Sequence, residues 1–241
     1  MSTSKARRDK KQRTRLSPEA REAMIVKVAI EFFAERGFAA QTRDLAAQIG
    51  VSEPLLYRYF DSKENLVQRV YEETVLSRWA PEWETLLRDR ALPLRERMII
   101  FYSSYLDAID DPMWIRIVMY SSLDGLDLTK RYISRHVDQV MGIISEELRS
   151  ALGTKEDPYA EIIWHLQSTF IYYLVRKHIH RTPVEHDTHK LVTKIIDAFI
   201  NGMHSQSGSA HDAEGRDDNV PGVAGVASAG LTEIVPSARE S

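Results

Sequence analysis

The sequence contains no cysteine, and this absence excludes several kinds of site. Without thiols the chain cannot form disulfides, hold a thiolate zinc site or use a cysteine nucleophile. No apolar stretch approaches the roughly 20 residues needed to cross a bilayer, and the residues up to Arg8 lack the apolar core of a secretory signal. These absences suit a reducing compartment, so we expect a cytoplasmic protein with no membrane partner.

Patterns that define common enzyme active sites are missing as well. The sequence has no nucleophile elbow, no Walker or dinucleotide-binding glycine pattern and no helical His-Glu-x-x-His. Titratable residues are plentiful, but none stands at a spacing that defines a reaction. We therefore expect neither an enzyme nor a bound cofactor.

A metal sensor is an alternative, because four histidines gather near one predicted helix–helix connection: His178, His180, His186 and His189. Two of them are three residues apart, beside Glu185 and Asp187, and could share one helical face. Such histidines are more often solvated surface residues, and a closed metal site needs a geometry that spacing alone does not define.

Almost every segment between the two ends repeats apolar residues at helical spacing, and none alternates as a half-buried strand does. The predicted fold class is therefore all-α. Ser17 followed by proline predicts a first helix that ends at Gly37, and Thr42 and Gly50 bound a short second one. The later boundaries predict a third helix from Ser52, a fourth over about 63–78, and others at about 93–110, 113–121, 127–152, 158–180 and 185–203.

Charge is divided unevenly along the chain. Residues 1–63 carry 13 Lys and Arg against 8 Asp and Glu, whereas the remaining residues carry 19 against 27. A basic end on an acidic body predicts that this end meets a polyanion. We expect four regions: a disordered basic arm over 1–16, a small headpiece over 17–66, a larger helical body over 67–204 and a disordered tail over 205–241.

The most informative stretch runs from Thr42 to Lys63. Two short helices joined by a tight Gly50-Val51 turn form the arrangement in which the second helix lies in a DNA major groove while the first braces it. Hydroxyls at both helix starts, at Thr42 and Ser52, would favour a phosphate beside free backbone N–H groups. A cation at the start of a helix, as at Lys63, opposes the local dipole unless an anion binds there.

The same stretch resembles the tetracycline-repressor (TetR) family of bacterial regulators over roughly residues 17–66. The residues that carry the resemblance are Gly37-Phe38, Thr42-Arg43-Asp44-Leu45-Ala46, Ile49-Gly50-Val51-Ser52, Leu56-Tyr57-Arg58-Tyr59-Phe60 and Ser62-Lys63-Glu64-Asn65-Leu66. Between Gly37 and Leu45 the chain is one residue shorter than the commonest family pattern. The resemblance implies a helix-turn-helix headpiece and a helical effector-binding and dimerisation domain.

The resemblance also implies a DNA-contact surface. Thr42 and Arg43 would contact phosphate or a base edge, Tyr57 and Lys63 would hold phosphates, and the other members would lie in or near the groove. The full set of implied DNA-binding residues is Gln41, Thr42, Arg43, Ser52, Glu53, Pro54, Tyr57, Arg58, Tyr59 and Lys63, with Arg13 and Arg15 in the arm. Arg43 or Arg58 could pair with guanine. Glu53 either accepts from a cytosine amino group or only favours the helix dipole.

The last two predicted helices have apolar faces too broad for peripheral helices, which predicts burial against a second subunit. In the family these helices form the dimer interface, so we expect a homodimer on a palindromic double-stranded DNA operator. The middle of the chain is rich in aromatic residues with a few polar ones, which is typical of a pocket for a small hydrophobic or aromatic effector. Aromatic residues at helical spacing more often form ordinary core, which is the alternative. The candidate lining residues are Tyr105, Trp114, Trp164 and Gln167. A repressor released by an effector is therefore predicted, and a DNA-binding regulator without an effector is the alternative.

Overall fold

The computed structural model describes residues 17–153 and 160–214, and within them the fold is all-α, with no strand. This confirms the predicted fold class. Eleven α-helices follow one another in these ranges: α1 Pro18–Arg36, α2 Thr42–Ile49, α3 Glu53–Phe60, α4 Lys63–Thr74, α5 Glu82–Arg88, α6 Leu94–Ile109, α7 Pro112–Leu123, α8 Leu128–Tyr132, α9 Asp138–Leu152, α10 Ala160–Leu174 and α11 Thr188–Glu214. A 3-10 turn, Leu76–Arg78, follows α4.

Capping chemistry explains the ends of the first helix. The Ser17 hydroxyl accepts a hydrogen bond from the N–H of Ala20 at 3.2 Å, and Pro18 occupies the first turn. Gly37 ends α1 with a positive φ of 78°. The second helix differs from the prediction by one position, because Thr42 is its first residue and Gln41 is the N-cap. Thr42 therefore does not cap α2.

Two helical segments contain π-helical turns that the periodicity did not predict. One, Ile133–Val137, joins α8 to α9 within the predicted helix at 127–152, and the other, Val175–His180, follows α10. The short helix α5 was not predicted either. The last helix begins at Thr188 and extends to Glu214, so the first ten residues of the predicted tail, 205–214, are helical. The arm and residues 215–241 lie outside the described residues.

Helix α7 is central to the packing of the body. It contacts α1 of the headpiece, α4, which leads from the headpiece into the body, α8, and the π-helical turn that follows α10. Its buried residues Trp114, Ile115 and Ile117 are all at most 1% exposed. A ligand or a mutation that displaces α7 would therefore act on the headpiece and the body together.

The chain divides into two compact units at Gly202, within the last helix. All the sites described below belong to the first unit. No helix in the described part of the chain is both long enough and apolar enough to span a membrane.

Candidate nucleic-acid interface and an apolar cavity

A tight turn at Gly50 sets α3 against α2. Gly50 adopts the left-handed conformation, with φ 79° and ψ 34°, and its N–H donates to the carbonyl of Ala46 at 3.0 Å. Leu45 on α2 and Leu56 on α3 are fully buried beneath the turn. The predicted helix-turn-helix is therefore present, with its outer surface free for a ligand.

The implied DNA-binding residues fall into three groups by exposure. The exposed ones are Gln41, Arg43, Ser52, Pro54 and Arg58, the half-buried ones are Glu53, Tyr57, Tyr59 and Lys63, and Thr42 is buried. Ser52 is the N-cap of α3, but its hydroxyl makes no capping hydrogen bond. Arg13 and Arg15 lie outside the described residues.

Thr42 ties the two helices together. Its hydroxyl donates to Oε1 of Glu53 at 2.7 Å and lies 2.8 Å from the hydroxyl of Tyr57, with Thr42 itself only 6% exposed. Since a hydroxyl has one proton and that proton goes to Glu53, the Tyr57 hydroxyl is the donor in the second hydrogen bond. Glu53 thus has a structural contact that neither of the sequence-based interpretations included.

Two further side chains are partly committed to the turn before α2. The ammonium group of Lys63 donates to the carbonyl of Ala40 at 2.8 Å, which gives this first-turn cation a partner within the chain. A guanidinium nitrogen of Arg43 lies 3.4 Å from Oε1 of Gln41, a long contact between exposed groups. Arg43 and Arg58 therefore remain the most accessible cations of the α2–α3 surface.

The charge of the headpiece differs from that of the arm. Residues 17–66 contain six Lys and Arg against eight Asp and Glu, whereas residues 1–16 contain seven against one. The excess positive charge at this end of the chain thus belongs to the arm. Attraction of the headpiece itself to a polyanion must come from the local placement of a few cations and helix starts.

A cavity of about 270 Å³ lies in the body. All four candidate lining residues, Tyr105, Trp114, Trp164 and Gln167, border it. Both π-helical turns contribute to its wall, and such turns occur frequently at functional sites. The other lining residues are Val118, Thr129, Tyr132, Ile133, Val137, Ser168, Ile171, Tyr172 and Val175.

The polar groups of the cavity are few and uncharged. Nε2 of Gln167 donates to the hydroxyl of Tyr105 at 3.0 Å. Burial raises the pKa of Tyr105 to about 12, against the lowering effect of this hydrogen bond, and burial also raises the pKa of Tyr132. Within the described residues, neither Oε1 of Gln167 nor Nε1 of Trp114 has a hydrogen-bond partner. Both atoms are buried in the packed wall and present almost no surface to the cavity, so the surface that a ligand would meet is apolar.

The helix that carries Trp114 and Val118 also contacts the headpiece. Arg116 donates to the carbonyl of Ala34 at 3.1 Å, and the hydroxyl of Tyr120 lies 3.4 Å from the carbonyl of Glu35. These two contacts place α7 against the last turn of α1.

The residue after α7 completes this junction. Oδ2 of Asp124 accepts hydrogen bonds from the N–H of Phe38 at 2.6 Å and that of Ala39 at 3.2 Å. A Cβ on Gly37 would meet the Tyr120 ring at 3.0 Å, so only glycine permits this approach. The sequence reasoning missed Asp124, and its only local signal was the Asp-Gly turn.

A hydrogen-bonded chain connects the cavity wall to α4, the helix that leads from the headpiece into the body. The hydroxyl of Tyr71 on α4 donates to Thr129 at 3.2 Å, and the hydroxyl of Thr129 donates to the carbonyl of Val118 at 3.2 Å. Thr129 and Val118 both line the cavity. Side chains that would touch a ligand are thus linked directly to α4.

The histidines do not form a metal centre in the described part of the chain, where no group of three or more potential ligands comes together. His178 lies 2.6 Å from Oδ1 of Asp110, and Lys177 contacts the other carboxylate oxygen, Oδ2. His189 lies 3.4 Å from the hydroxyl of Ser103.

Comparison with known proteins agrees with this architecture. Residues 25–70, which include the whole α2–α3 motif, match the model of a family described as bacterial regulatory proteins, tetR family. No curated protein matches the chain.

Solved structures extend the similarity of fold to the body. A TetR-like transcriptional regulator from Rhodococcus sp. RHA1 has 20% identity and a TM-score of 0.61, and the match covers 78% of this chain and 100% of that one. A tetR-family transcriptional regulator from Streptomyces coelicolor has 19% identity and a TM-score of 0.53, covering 83% and 87%. A TetR family transcriptional regulator from Pseudomonas syringae has 19% identity and a TM-score of 0.55, covering 77% and 97%.

Proposed function

We propose that this chain is a TetR-family transcriptional regulator that binds a palindromic DNA operator as a homodimer and represses transcription until an effector releases it. The observation that carries the proposal is the helix-turn-helix headpiece joined through α7 to an apolar cavity. We divide the chain as the sequence suggested, into the arm, the headpiece and the body, with the tail after the body.

The start of α3 would enter the major groove. Ser52 and Pro54 are exposed there, and the unused Ser52 hydroxyl and the N–H of Glu53 suit a phosphate. Pro54 has no N–H, and the N–H of Leu55 already donates to the Ser52 carbonyl. Arg43 and Arg58 would read a base edge or hold phosphates, because both guanidinium groups are exposed beside this helix. Thr42 and Glu53 act mainly by holding Tyr57 in position, which favours a structural role for Glu53.

A second copy of the chain would cover the outer faces of α10 and α11. Tyr172 on α10 is 58% exposed, and Ile171 beside it is only half-buried. On α11, Leu191, Ile195 and Phe199 are also half-buried. Apolar faces of this kind favour burial in an interface, and a two-fold dimer would present two headpieces to two half-sites.

The effector would act through α7. A ligand that displaces Trp114 or Val118 moves the helix that holds the last turn of α1 and is followed by Asp124. It shifts the equilibrium only if the cavity has a different affinity for the ligand in the DNA-bound and released arrangements. The alternative of a regulator without an effector requires that the cavity stay empty at physiological ligand concentrations.

Footprinting of the purified full chain on the DNA that flanks its own gene tests the proposal. The native protein should protect a roughly two-fold symmetric site at a fixed salt concentration. Arg43→Ala and Arg58→Ala should each weaken binding or relax the preference at one position per half-site, by about 1–3 kcal/mol for a lost bidentate base contact. Lys130→Ala, an exposed cation of the body, is the matched control.

Two further variants test the phosphate contacts. Lys63→Ala should weaken binding to every DNA sequence and lower the salt dependence of the affinity. Tyr57→Phe should weaken binding without changing the salt dependence, because it removes the hydrogen bond to Thr42 and no positive charge. Unchanged affinity in all four interface variants would place the DNA on another face. A symmetric footprint that no cavity ligand disturbs would favour the regulator without an effector.

The arm makes its own prediction because it holds the positive charge. Removal of residues 1–16 should reduce the slope of log affinity against log salt by about 0.9 for each phosphate contact that is lost. Base preference should not change if the arm only tethers the protein. A changed preference at the outer edge of each half-site would instead indicate minor-groove contact by Arg13 or Arg15.

A further inference from the structure

We infer that a second cleft in the body, beside the apolar cavity, binds a small organic carboxylate. The cleft has a volume of about 140 Å³ and lies between α4 and the segment formed by α8 and the π-helical turn after it. Arg131, Arg135 and His136 line this basic cleft. The inference goes beyond the proposed function, because it concerns another site and another class of ligand.

The charge of the ligand follows from the lining residues of the basic cleft, none of which is acidic. Arg131 and Arg135 are exposed, and neither forms an ion pair with a described residue. Arg131 donates instead to Oε1 of Gln68 across the cleft, at 3.3 Å. Earlier arginines of the body differ, because each pairs with a carboxylate: Arg69, Arg78, Arg88, Arg90, Arg95 and Arg97. Two cations without carboxylate partners on one cleft favour an anion between them.

The positive charge of both arginines acts on the inner wall of the cleft. Burial lowers the pKa of His136 first and the charge of Arg135 lowers it next, while Glu84 raises it by less. Burial raises the pKa of Tyr71 to about 12, against the smaller lowering effects of a hydrogen bond and of the charge of Arg131. A carboxylate bound here would therefore be attracted from two sides.

The rest of the wall defines the body of the ligand. Tyr71, Leu128 and Tyr132 are buried and line the cleft together with half-buried Leu76. A cavity of about 150 Å³ in a protein holds benzene, so a cleft of about 140 Å³ has room for one ring. A guanidinium group binds a carboxylate through two parallel hydrogen bonds. A carboxylate attached to one small ring, such as benzoate, combines these features.

The position of the basic cleft connects it with both the headpiece and the apolar cavity. Gln68 and Tyr71 belong to α4, the helix that leads from the headpiece into the body. Tyr132 lines the apolar cavity as well, so the two sites share one buried side chain. A carboxylate that takes Arg131 from Gln68 would therefore change a contact between α4 and α8 beside that shared side chain.

Three probes test the inference by calorimetric titration of the full chain at low salt: benzoate, benzamide and inorganic phosphate. Benzoate should bind about fivefold more tightly than benzamide, an uncharged molecule of similar shape, because only the carboxylate pairs with the exposed arginines. Added salt should reduce this difference. Phosphate should bind more weakly than benzoate, because it has no ring for the apolar wall. Equal affinity for benzoate and benzamide, equal affinity for benzoate and phosphate, or no binding of benzoate at millimolar concentration overturns the inference.

Variants locate the binding. Arg131→Gln and Arg135→Gln should each weaken benzoate about threefold and leave benzamide almost unchanged. Both side chains are exposed, so neither change removes buried packing. Lys130→Gln is the matched control, because Lys130 is an exposed cation of α8 that does not line the cleft. Unchanged benzoate affinity in the Arg131→Gln/Arg135→Gln double variant contradicts the inference.

Nuclear magnetic resonance titration of the histidines gives an independent location. Bound benzoate should raise the pKa of His136, because a nearby negative charge favours the imidazolium form. The pKa of His189, which contacts Ser103 on α6, should not respond. No change at His136 with saturating benzoate would place the anion elsewhere and overturn the inference. All these measurements are made without DNA, so their failure and the failure of the proposed function are separate results.

Discussion

The contact between Asp124 and the turn after α1 gives the sharpest test of how the body holds the headpiece. One carboxylate oxygen receives the N–H groups of Phe38 and Ala39, at 2.6 and 3.2 Å, from 86 and 85 residues away in the sequence. Asp124→Ala removes both hydrogen bonds and leaves α7 otherwise intact. The perturbation is local, and no other described side chain accepts from these two N–H groups.

The expected magnitude comes from the geometry and the exposure. A hydrogen bond to a charged acceptor contributes about 1.5–3 kcal/mol when it is shielded from water. The second bond is long and the Asp124 side chain is exposed, so water replaces part of the loss. We therefore expect Asp124→Ala to lower the free energy of unfolding by about 1–2 kcal/mol, and Asp124→Asn by roughly half as much.

Urea denaturation followed by far-UV circular dichroism measures the stability change, and amide hydrogen exchange of Phe38 locates it. Asp107→Ala, at an exposed position on α6, is the matched control. The variant should also reduce the effect of a cavity ligand on operator affinity. A stability change below about 0.5 kcal/mol, together with unchanged exchange at Phe38, would refute the view that this contact fastens the headpiece.

Two other variants test the packing of the body. Gly37→Ala should destabilise the protein by about 1–3 kcal/mol, because the residue keeps a positive φ and the new Cβ meets Tyr120. Thermal denaturation measures this loss of stability. An unchanged melting temperature would contradict the close approach of Gly37 and Tyr120. Arg90 and then Arg97 hold the pKa of Glu147 below its ordinary value of 4.5, so the stability from this carboxylate is present above that pH and is lost as the pH falls through the lowered pKa. Glu147→Gln should therefore lower the free energy of unfolding by about 3 kcal/mol at pH 7, since it leaves Arg97 buried without its ion pair. The loss should be smaller in acid. A loss of stability that does not change with pH in urea denaturation would contradict the ion pair.

Local chemistry accounts for what the sequence predicted. Caps and glycines with positive φ act within a few residues, and so Ser17, Gly37 and Gly50 marked the boundaries of the first helices correctly. The α2–α3 motif is similarly local. The four candidate pocket residues, Tyr105, Trp114, Trp164 and Gln167, line one cavity, and their role in binding an effector stays a prediction.

Tertiary packing accounts for what the sequence did not predict. Thr42 looked like an outward cap, but its hydroxyl is buried against Glu53 and Tyr57, 11 and 15 residues further on. Helix α5 has only seven residues, too few for a clear period. The role of Asp124 depends on a fold that brings α7 to the end of α1, and no local pattern encodes that.

Selection of bound DNA from a random-sequence pool by the full chain tests the central claim most directly. The account predicts recovery of a two-fold symmetric sequence whose half-sites lie about one DNA turn apart, or a multiple of it, with enrichment lost in the Arg43→Ala/Arg58→Ala double variant and kept in Lys130→Ala. Recovery of no consensus by the native protein, or of the same consensus by the folded double variant, would contradict the claim that this surface reads an operator.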